Sequence, residues 1–481
     1  MLQSSPKPPQ NSAQVRRAYG ALLGCIALCL VANCFFKLSG GELKDWDEAR
    51  HGVSAYEMLQ SGHFLVNTYQ HAPDYWNAKP PLSFWSTALG FFLFGKTPLG
   101  LRFFSALFAC LMLFLTLAFC CKKLPLRAAV FSGLVLVSMD RFFQSHNART
   151  ADPDALFLFF STAGLLAVLA WPRRYAAYAV ASFLAGLAFL TKSFHVLPMA
   201  VLLTVFFGME FSFSRKSAQQ AALCLLLGLF PVVLWGVARF PLDGTLFFEH
   251  MFFQDVLRRS TQAIEGHPSH PLFYVKVIAQ NFGCWGVVVP WAVGAVLALR
   301  AKARRMAEPA ALPPLEPDTQ TLTKLVLAAT LPVLLYSLSV SKLPWYIYSA
   351  FPFMAVLLGI LLDRACLHMQ TKSKRLAHIF LLCVLATGLV GEARTLLQIY
   401  KKDAKKNPLH VAMRKLGQMP ENHQAALFLE EGDWRPADVL AAKLYGDFQL
   451  KEGGAPAHAS AEHSQKSFLL SRAEKTHQRP E

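Results

Sequence analysis

Residues Lys44 to Trp85, KDWDEARHGVSAYEMLQSGHFLVNTYQHAPDYWNAKPPLSFW, hold the densest set of side chains able to do chemistry in this chain. Asp45, Asp47 and Glu48 open the stretch, and Lys79 closes it beside Pro80 and Pro81. A carboxylate near apolar surface has a raised pKa and suits a general base that takes a hydroxyl or amine proton. Asp47 and Glu48 are expected in that role; an interfacial ion pair with Arg50 is the plain alternative. The two prolines fix the backbone after Lys79 and deny it a helix. An ammonium held in that way is suited to clamp a phosphate. Trp46, Tyr56, Phe64, Tyr69, Tyr75 and Trp76 give the stretch the aromatic density of a loop lying on a membrane interface.

A second acidic pair lies in ARTADPDALFLFF, where Asp152 and Asp154 precede an apolar run. Helix capping accounts for Asp152. Asp154 needs more than capping if it faces a cavity shared with Asp47. Arg149, Lys192 in LTKSFH and Lys342 in SKLPWYIY repeat the pattern of a cation at the end of an apolar run. Each alone reads as a snorkelling side chain. Converging on one face amid aromatics, they point to the anionic headgroup of a lipid. His267 and His270 taken singly read as surface histidines. Asp45-Trp46-Asp47 and Asp152-Pro153-Asp154 are D-x-D pairs of the kind that hold Mg²⁺ or Mn²⁺. With so many cations available to an anionic leaving group, no metal is expected to be obligatory.

The elements that position these residues are apolar. The 481 residues are 54% hydrophobic and 16% charged, with mean hydropathy +0.34. Apolar runs long enough to cross a bilayer predict an all-α polytopic membrane protein with about eleven spans, in a range of about 10–13. The net charge of +17 does not imply nucleic acid, because basic clusters recur where apolar runs stop: Arg16/Arg17, Lys122/Lys123, Arg173/Arg174, Arg215/Lys216, Arg300 to Arg305 and Lys372 to Arg375. These read as cytoplasmic helix ends. Asp47, Lys79, Asp154, Lys192, His267 and Lys342 then share the opposite, extracytoplasmic face of a plasma (inner) membrane. The ten cysteines lie mostly inside apolar runs with no C-x-x-C pair, and read as small buried residues.

Residues 1–18 are expected to be a disordered cytoplasmic tail, 19–392 the transmembrane unit, 393–450 a small extracytoplasmic α/β segment, and 451–481 a disordered tail. Within the transmembrane unit, residues 39–100 form the first outer loop. There EARHGVSAYEMLQSG predicts a helix lying on the surface and stopped by Gly62, and PLSFWSTALGFFLFG a short interfacial helix.

Taken in order, D-E-A-R, E-M-L-x-S-G, K-P-P-L-x-x-W, A-R-x-x-x-x-D-A-L, L-T-K, G-H-x-x-H-P-x-x-Y and S-K-L-P-W-Y-I-Y-x-A-x-P resemble the membrane glycosyltransferases of GT-C architecture. The chain looks most like the aminoarabinose transferases (ArnT) and the protein O-mannosyltransferases, over roughly residues 46–362. The resemblance implies a GT-C-type bundle and inverting transfer of a sugar from a polyprenyl-phosphate donor to a lipid A-like glycolipid, a glycan or a protein. It implies Asp47 as the catalytic carboxylate with Glu48 beside it, and Asp154 as the second-loop carboxylate. Lys79, Arg258, Lys342, Tyr346 and Lys192 would bind the donor phosphate, while His267, His270, Arg149 and Trp345 would line the acceptor side. Many of those transferases carry an acid where Ala78 stands, and their C-terminal regions are longer. The rival from another class is a lipid-linked sugar flippase, which would distribute charge through the bilayer midplane.

Overall fold

The computed structural model describes residues 10–258, 261–262, 270–305, 317–404, 406–429, 433–451 and 467–470. Helix α1 (Gln10–Phe35) is followed by α2 (Asp47–Ser61), the hairpin β1 (Thr68–Tyr69) and β2 (Ala72–Pro73), then α3 (Leu82–Phe94) and α4 (Pro98–Lys123). Next come α5 (Leu126–Val137), α6 (Asp140–Gln144), α7 (Asp154–Ala170), α8 (Tyr175–Lys192), α9 (Leu197–Glu210), α10 (Arg215–Asp243) and α11 (Leu246–Phe252). The second half holds α12 (Phe273–Phe282), α13 (Val288–Arg305), α14 (Thr319–Ser337), α15 (Phe351–Lys372) and α16 (Lys374–Ala404). A small unit closes the chain: α17 (Pro408–Leu416), β3 (Ala426–Leu429), α18 (Pro436–Gly446), β4 (Gln449–Lys451) and β5 (Ser467–Leu470). Its strands form a parallel sheet in the order β4-β3-β5.

Among the described residues, seven helical stretches are long and apolar enough to cross a membrane, or eight if the pair Phe273–Trp285 and Val288–Ala298, bent by 86°, is one span. This is a multi-pass membrane protein. Length and composition thus support seven or eight of the eleven expected spans; α3, α5 and α7 are shorter apolar helices. One of the seven, Tyr175–Glu210, has 36 residues, about 54 Å if straight. It doubles back at the 3-10 turn Ser193–Val196, since Tyr175 stacks on Phe211 with ring centroids 4.1 Å apart.

Close helix contact comes from small residues, as it must where lipid removes the hydrophobic drive between helices. A Cβ at Gly186 of α8 would stand 2.2 Å from the carbonyl of Gly228 in α10. Several polar groups inside the bundle are paired: Asn33 with Glu392 at 2.9 Å, Arg127 with Asp363 at 2.6 Å, and Lys324 with Glu210. All ten cysteines are free thiols; five are buried as expected, whereas Cys25 and Cys121 are exposed.

Three boundaries and the burial of one helix differ from the sequence reading. Residues 10–18 continue α1, and α16 runs through Ala404, past the expected limit at 392. Residues Ser467–Leu470, expected in a disordered tail, form a strand of the closing sheet. Helix α2 does not lie open on the surface. Gly62 stops it with φ 72° as expected, but ten of its residues, from Glu48 to Met58, are buried. The C-terminal unit covers one side of it, and α3 and α4 cover the other. Leu440 of α18 presses on Gly52, where a Cβ would meet the leucine methyls at 2.7 and 2.8 Å. Asp45 accepts from the Ala437 amide at 3.0 Å, and Lys443 pairs with Glu57 at 3.1 Å.

Candidate active site

The site forms where five connections meet at the end of the bundle away from the basic turns: α1 to α2, α2 to α3, α6 to α7, α8 to α9, and α14 to α15. Asp47 is the first residue of α2, where the helix N-terminus favours a negative charge. The preceding Trp46 has φ 63° and packs its exposed ring near Trp76, with centroids 5.7 Å apart. From the other side of this loop Lys79 reaches Asp47 Oδ1 at 3.0 Å and Asn77 Oδ1 at 3.0 Å. The lysine loop is tied down locally. Asn67 donates to the carbonyls of Asp74 and Asn77, each at 3.0 Å, and Asp74 accepts from the Asn77 amide at 3.1 Å. Arg50 pairs with Asp74 at 2.8 Å. The alternative of an ion pair between Arg50 and the D-E pair is therefore corrected.

The α6–α7 connection brings in His146, which takes φ 51° and stacks on Trp345 with centroids 3.5 Å apart. Its Nδ1 lies 3.3 Å from Asp152 Oδ1 and 3.7 Å from Asp47 Oδ2. His51, buried one turn into α2, contacts the Asp47 carbonyl through Nδ1 at 2.8 Å and stacks on Phe84. Asp154 Oδ1 accepts from Lys192 at 2.5 Å, and Lys192 stands 5.5 Å from the Tyr346 ring. A narrow cleft is lined by Asp47, Trp76, Asn77, Ala78, Lys79, Lys192, His195, Leu343, Trp345 and Tyr346.

The electrostatics reverse one expectation. Burial alone would raise the Asp47 carboxyl, but Lys79, His146 and His51 outweigh it and hold the group well below the usual carboxylate range. Burial disfavours the charged form of His146, and Asp152, followed by Asp47, overcomes this and raises the imidazole. Asp152 is lowered in turn by His146 against the cost of burial. Burial, reinforced by Lys79, pushes His51 down to about 4. The site therefore sets two carboxylates against the Lys79 ammonium and an imidazole whose charged form they favour, with His51 held toward its neutral form behind them.

Of the residues named from sequence, Asp47, Lys79, Lys192, Trp345 and Tyr346 line the cleft, and Asp154 stands directly behind Lys192. Others stand elsewhere. Glu48 is buried and bound in bidentate fashion by Arg102 at 2.6 and 3.0 Å, so it anchors α2 to α4 and does not face the cleft. Arg149 donates to the carbonyls of Asn33, Cys34 and Lys37. Lys342 is buried with Nζ donating to the Ser339 carbonyl at 2.5 Å. Arg258 and His270 are exposed and do not line the cleft, and His267 lies outside the described residues.

Sequence reasoning assigned Asp152 to capping and passed over His146 and His51. Each D-x-D pair is split by its backbone: Asp45 turns to the C-terminal unit and Asp47 to the cleft, while Asp152 turns to His146 and Asp154 to Lys192. The signal for His146 was its position in the same short loop as the second pair. Asp47, His146 and Asp152 present ligand atoms within 4.8 Å of one another and could hold a metal ion.

A family model for dolichyl-phosphate-mannose-protein mannosyltransferase matches residues 78–235. In sequence the chain is 26% identical over 352 residues to undecaprenyl phosphate-alpha-4-amino-4-deoxy-L-arabinose arabinosyl transferase 1 of Sodalis glossinidius, covering 72% of this chain and 59% of that protein. It is 26% identical over 434 residues to a transferase of the same name from Pseudomonas fluorescens, covering 84% and 70%. The match to the Sodalis protein thus spans about six-tenths of that relative's length. Among solved structures, ArnT from Cupriavidus metallidurans bound to undecaprenyl phosphate superposes with TM-score 0.66 at 19% identity, over 91% of this chain and 86% of that one. The fold is that of ArnT. In sequence the chain is similar to the undecaprenyl-phosphate arabinosyl transferases over part of their length.

Proposed function

We propose that this protein is an inverting membrane glycosyltransferase that moves a sugar from a polyprenyl-phosphate donor to an acceptor in the cell envelope, on the extracytoplasmic face of the plasma membrane. The observation that carries the reading is the Asp47–Lys79 pair, 3.0 Å apart at the wall of a cleft that Lys192 and Tyr346 also line. Chemistry of this kind needs a base for the acceptor proton and a cation for the leaving group. The acceptor oxygen or nitrogen attacks the anomeric carbon, and the bond from that carbon to the phosphate oxygen breaks. The lipid phosphate leaves with one more negative charge, and the acceptor proton passes to Asp47.

At rest Asp47 is a poor base because Lys79 grips it. A donor phosphate that draws the ammonium toward itself loosens that grip and raises the carboxyl, so base strength develops when the donor is bound. Lys79 then meets the charge of the departing phosphate, and Lys192, backed by Asp154, adds a second positive group. Asp152 and His146 hold the other face of Asp47. Lys79 and Lys192 supply positive charge for the leaving phosphate, so the reading expects transfer without an obligatory divalent metal. The motif resemblance makes a lipid A-like glycolipid the acceptor of first choice, with a glycan or protein as the alternatives.

Purified protein in nanodiscs, supplied with an undecaprenyl-phosphate aminosugar and a lipid A acceptor, tests the reading. Asp47→Asn is expected to lose on the order of 10²-fold in turnover, the scale of lost general-base catalysis, with folding intact. Excess EDTA is expected to change nothing. Normal transfer by Asp47→Asn removes the catalytic assignment, and activity abolished by EDTA and restored by Mn²⁺ recasts Asp47, His146 and Asp152 as metal ligands.

A further inference from the structure

A second cleft, of about 350 Å³, opens on the other side of the wall that carries His146 and Trp345. That is the size range of sites that take small ligands. The wall is thin: Ser145 and Pro344 face the second cleft, while their chain neighbours His146 and Trp345 belong to the Asp47 site. Arg141, Arg394 and Lys402 line it against a single carboxylate, Asp140, which pairs with Arg394 at 3.2 Å. Helix α16 makes this possible by its length. Its 31 residues reach about 46 Å, against a hydrocarbon thickness of about 30 Å, and its outer end raises Arg394 and Lys402 beside the cleft.

The neutral lining has a chemistry of its own. Asn281 is buried and donates Nδ2 to the Val277 carbonyl at 3.0 Å, which fixes the amide so that its Oδ1 is left with no hydrogen-bond partner. Gln144 Oε1 is likewise buried without one. A buried carbonyl oxygen lacking a donor costs free energy until a ligand supplies it. Excess cation calls for an anion, and the two amide oxygens call for hydroxyl or amino hydrogens.

We infer that this cleft binds the phosphorylated saccharide headgroup of the acceptor, across the wall from the donor phosphate. The inference rests on the transferase reading, and it assigns to the acceptor side a site that no residue of the Asp47 cleft supplies. The anion could also come from the donor lipid, so the test separates the two sources.

Full-length protein in zwitterionic nanodiscs is titrated with three probes: a lipid carrying a phosphorylated glucosamine disaccharide, the same lipid without its phosphates, and undecaprenyl phosphate. Arg141→Gln/Arg394→Gln is expected to weaken binding of the phosphorylated glycolipid roughly tenfold, the scale of losing about 1.4 kcal/mol. It should leave the dephosphorylated lipid and undecaprenyl phosphate unchanged. Lys402→Glu, at an exposed position outside the Asp140 pair, should give the same loss without disturbing that pair. Lys79→Ala should show the reverse pattern. Wild-type affinity of both cleft variants for the phosphorylated glycolipid overturns the inference, as does a parallel loss of undecaprenyl phosphate, which would give the cleft to the donor. If undecaprenyl phosphate binds nowhere, the donor reading falls, while the glycolipid arms still judge the cleft.

Discussion

Lys79 is held at rest by Asp47 and Asn77 and has one task in transfer, so its variants separate charge from shape. Lys79→Ala is expected to raise the donor KM and lower kcat together. Lys79→Arg should recover part of the binding, because the charge survives while the compact ammonium geometry does not. Unchanged donor KM and kcat in the alanine variant exclude the role. His51 makes a separate, pH-dependent claim. Its folded pKa of about 4 lies below the ordinary 6.5, so the unfolded chain takes up a proton that the native one refuses. The stability this confers is present above pH 6.5 and is lost as pH falls toward 4, on the order of 3 kcal/mol for a shift of about 2.5 units. His51→Phe, which keeps the stack on Phe84, should flatten that acid-side decline in melting temperature. An identical pH profile in the variant refutes it. His146 has the opposite sign: its raised pKa contributes stability below the ordinary value and loses it as pH rises through the raised one.

At the scale of elements, α2 is held between the bundle and the C-terminal unit. Arg102 ties its N-terminus to α4 through Glu48, and α18 packs on Gly52. A Cβ at Gly52 would also meet Leu101 at 2.9 Å, so both neighbours must give way together. Gly52→Val is expected to cost about 1–3 kcal/mol by overpacking. It should expose the segment from Asn407 to Lys451 to protease and reduce transfer through Asp47, which α2 carries. Protease resistance and transfer both at the level of the unaltered protein would show that the C-terminal unit does not hold α2 in place.

For the whole molecule, the turns at Lys122/Lys123, Arg173/Arg174, Arg215/Lys216 and Lys372–Arg375 share one end of the bundle, and Asp47, His146, Lys192 and Tyr346 the other. A single cysteine at His63, in a background free of other cysteines, should react with a membrane-impermeant thiol reagent in intact cells. One at Lys122 should not. The reverse pattern would place the site in the cytoplasm.

The sequence by itself determined the bundle, because long apolar runs bounded by basic clusters have few other ways to satisfy their backbone. It also determined the polar stretch with Asp47 and Lys79, since charge and paired prolines stand out against an apolar background. Its reading of α8 and α9 as separate helices held as well, the 3-10 turn marking the break. What it did not determine is which member of each acidic pair faces the cleft. That choice depends on the backbone direction at Trp46 and His146, both at positive φ where residue type gives little warning. Helical periodicity also could not show that α2 is covered, or that Glu48 meets Arg102 across 54 residues of sequence. Burial of a polar helix and pairing at such separation are properties of packing, and only the tertiary structure decides them.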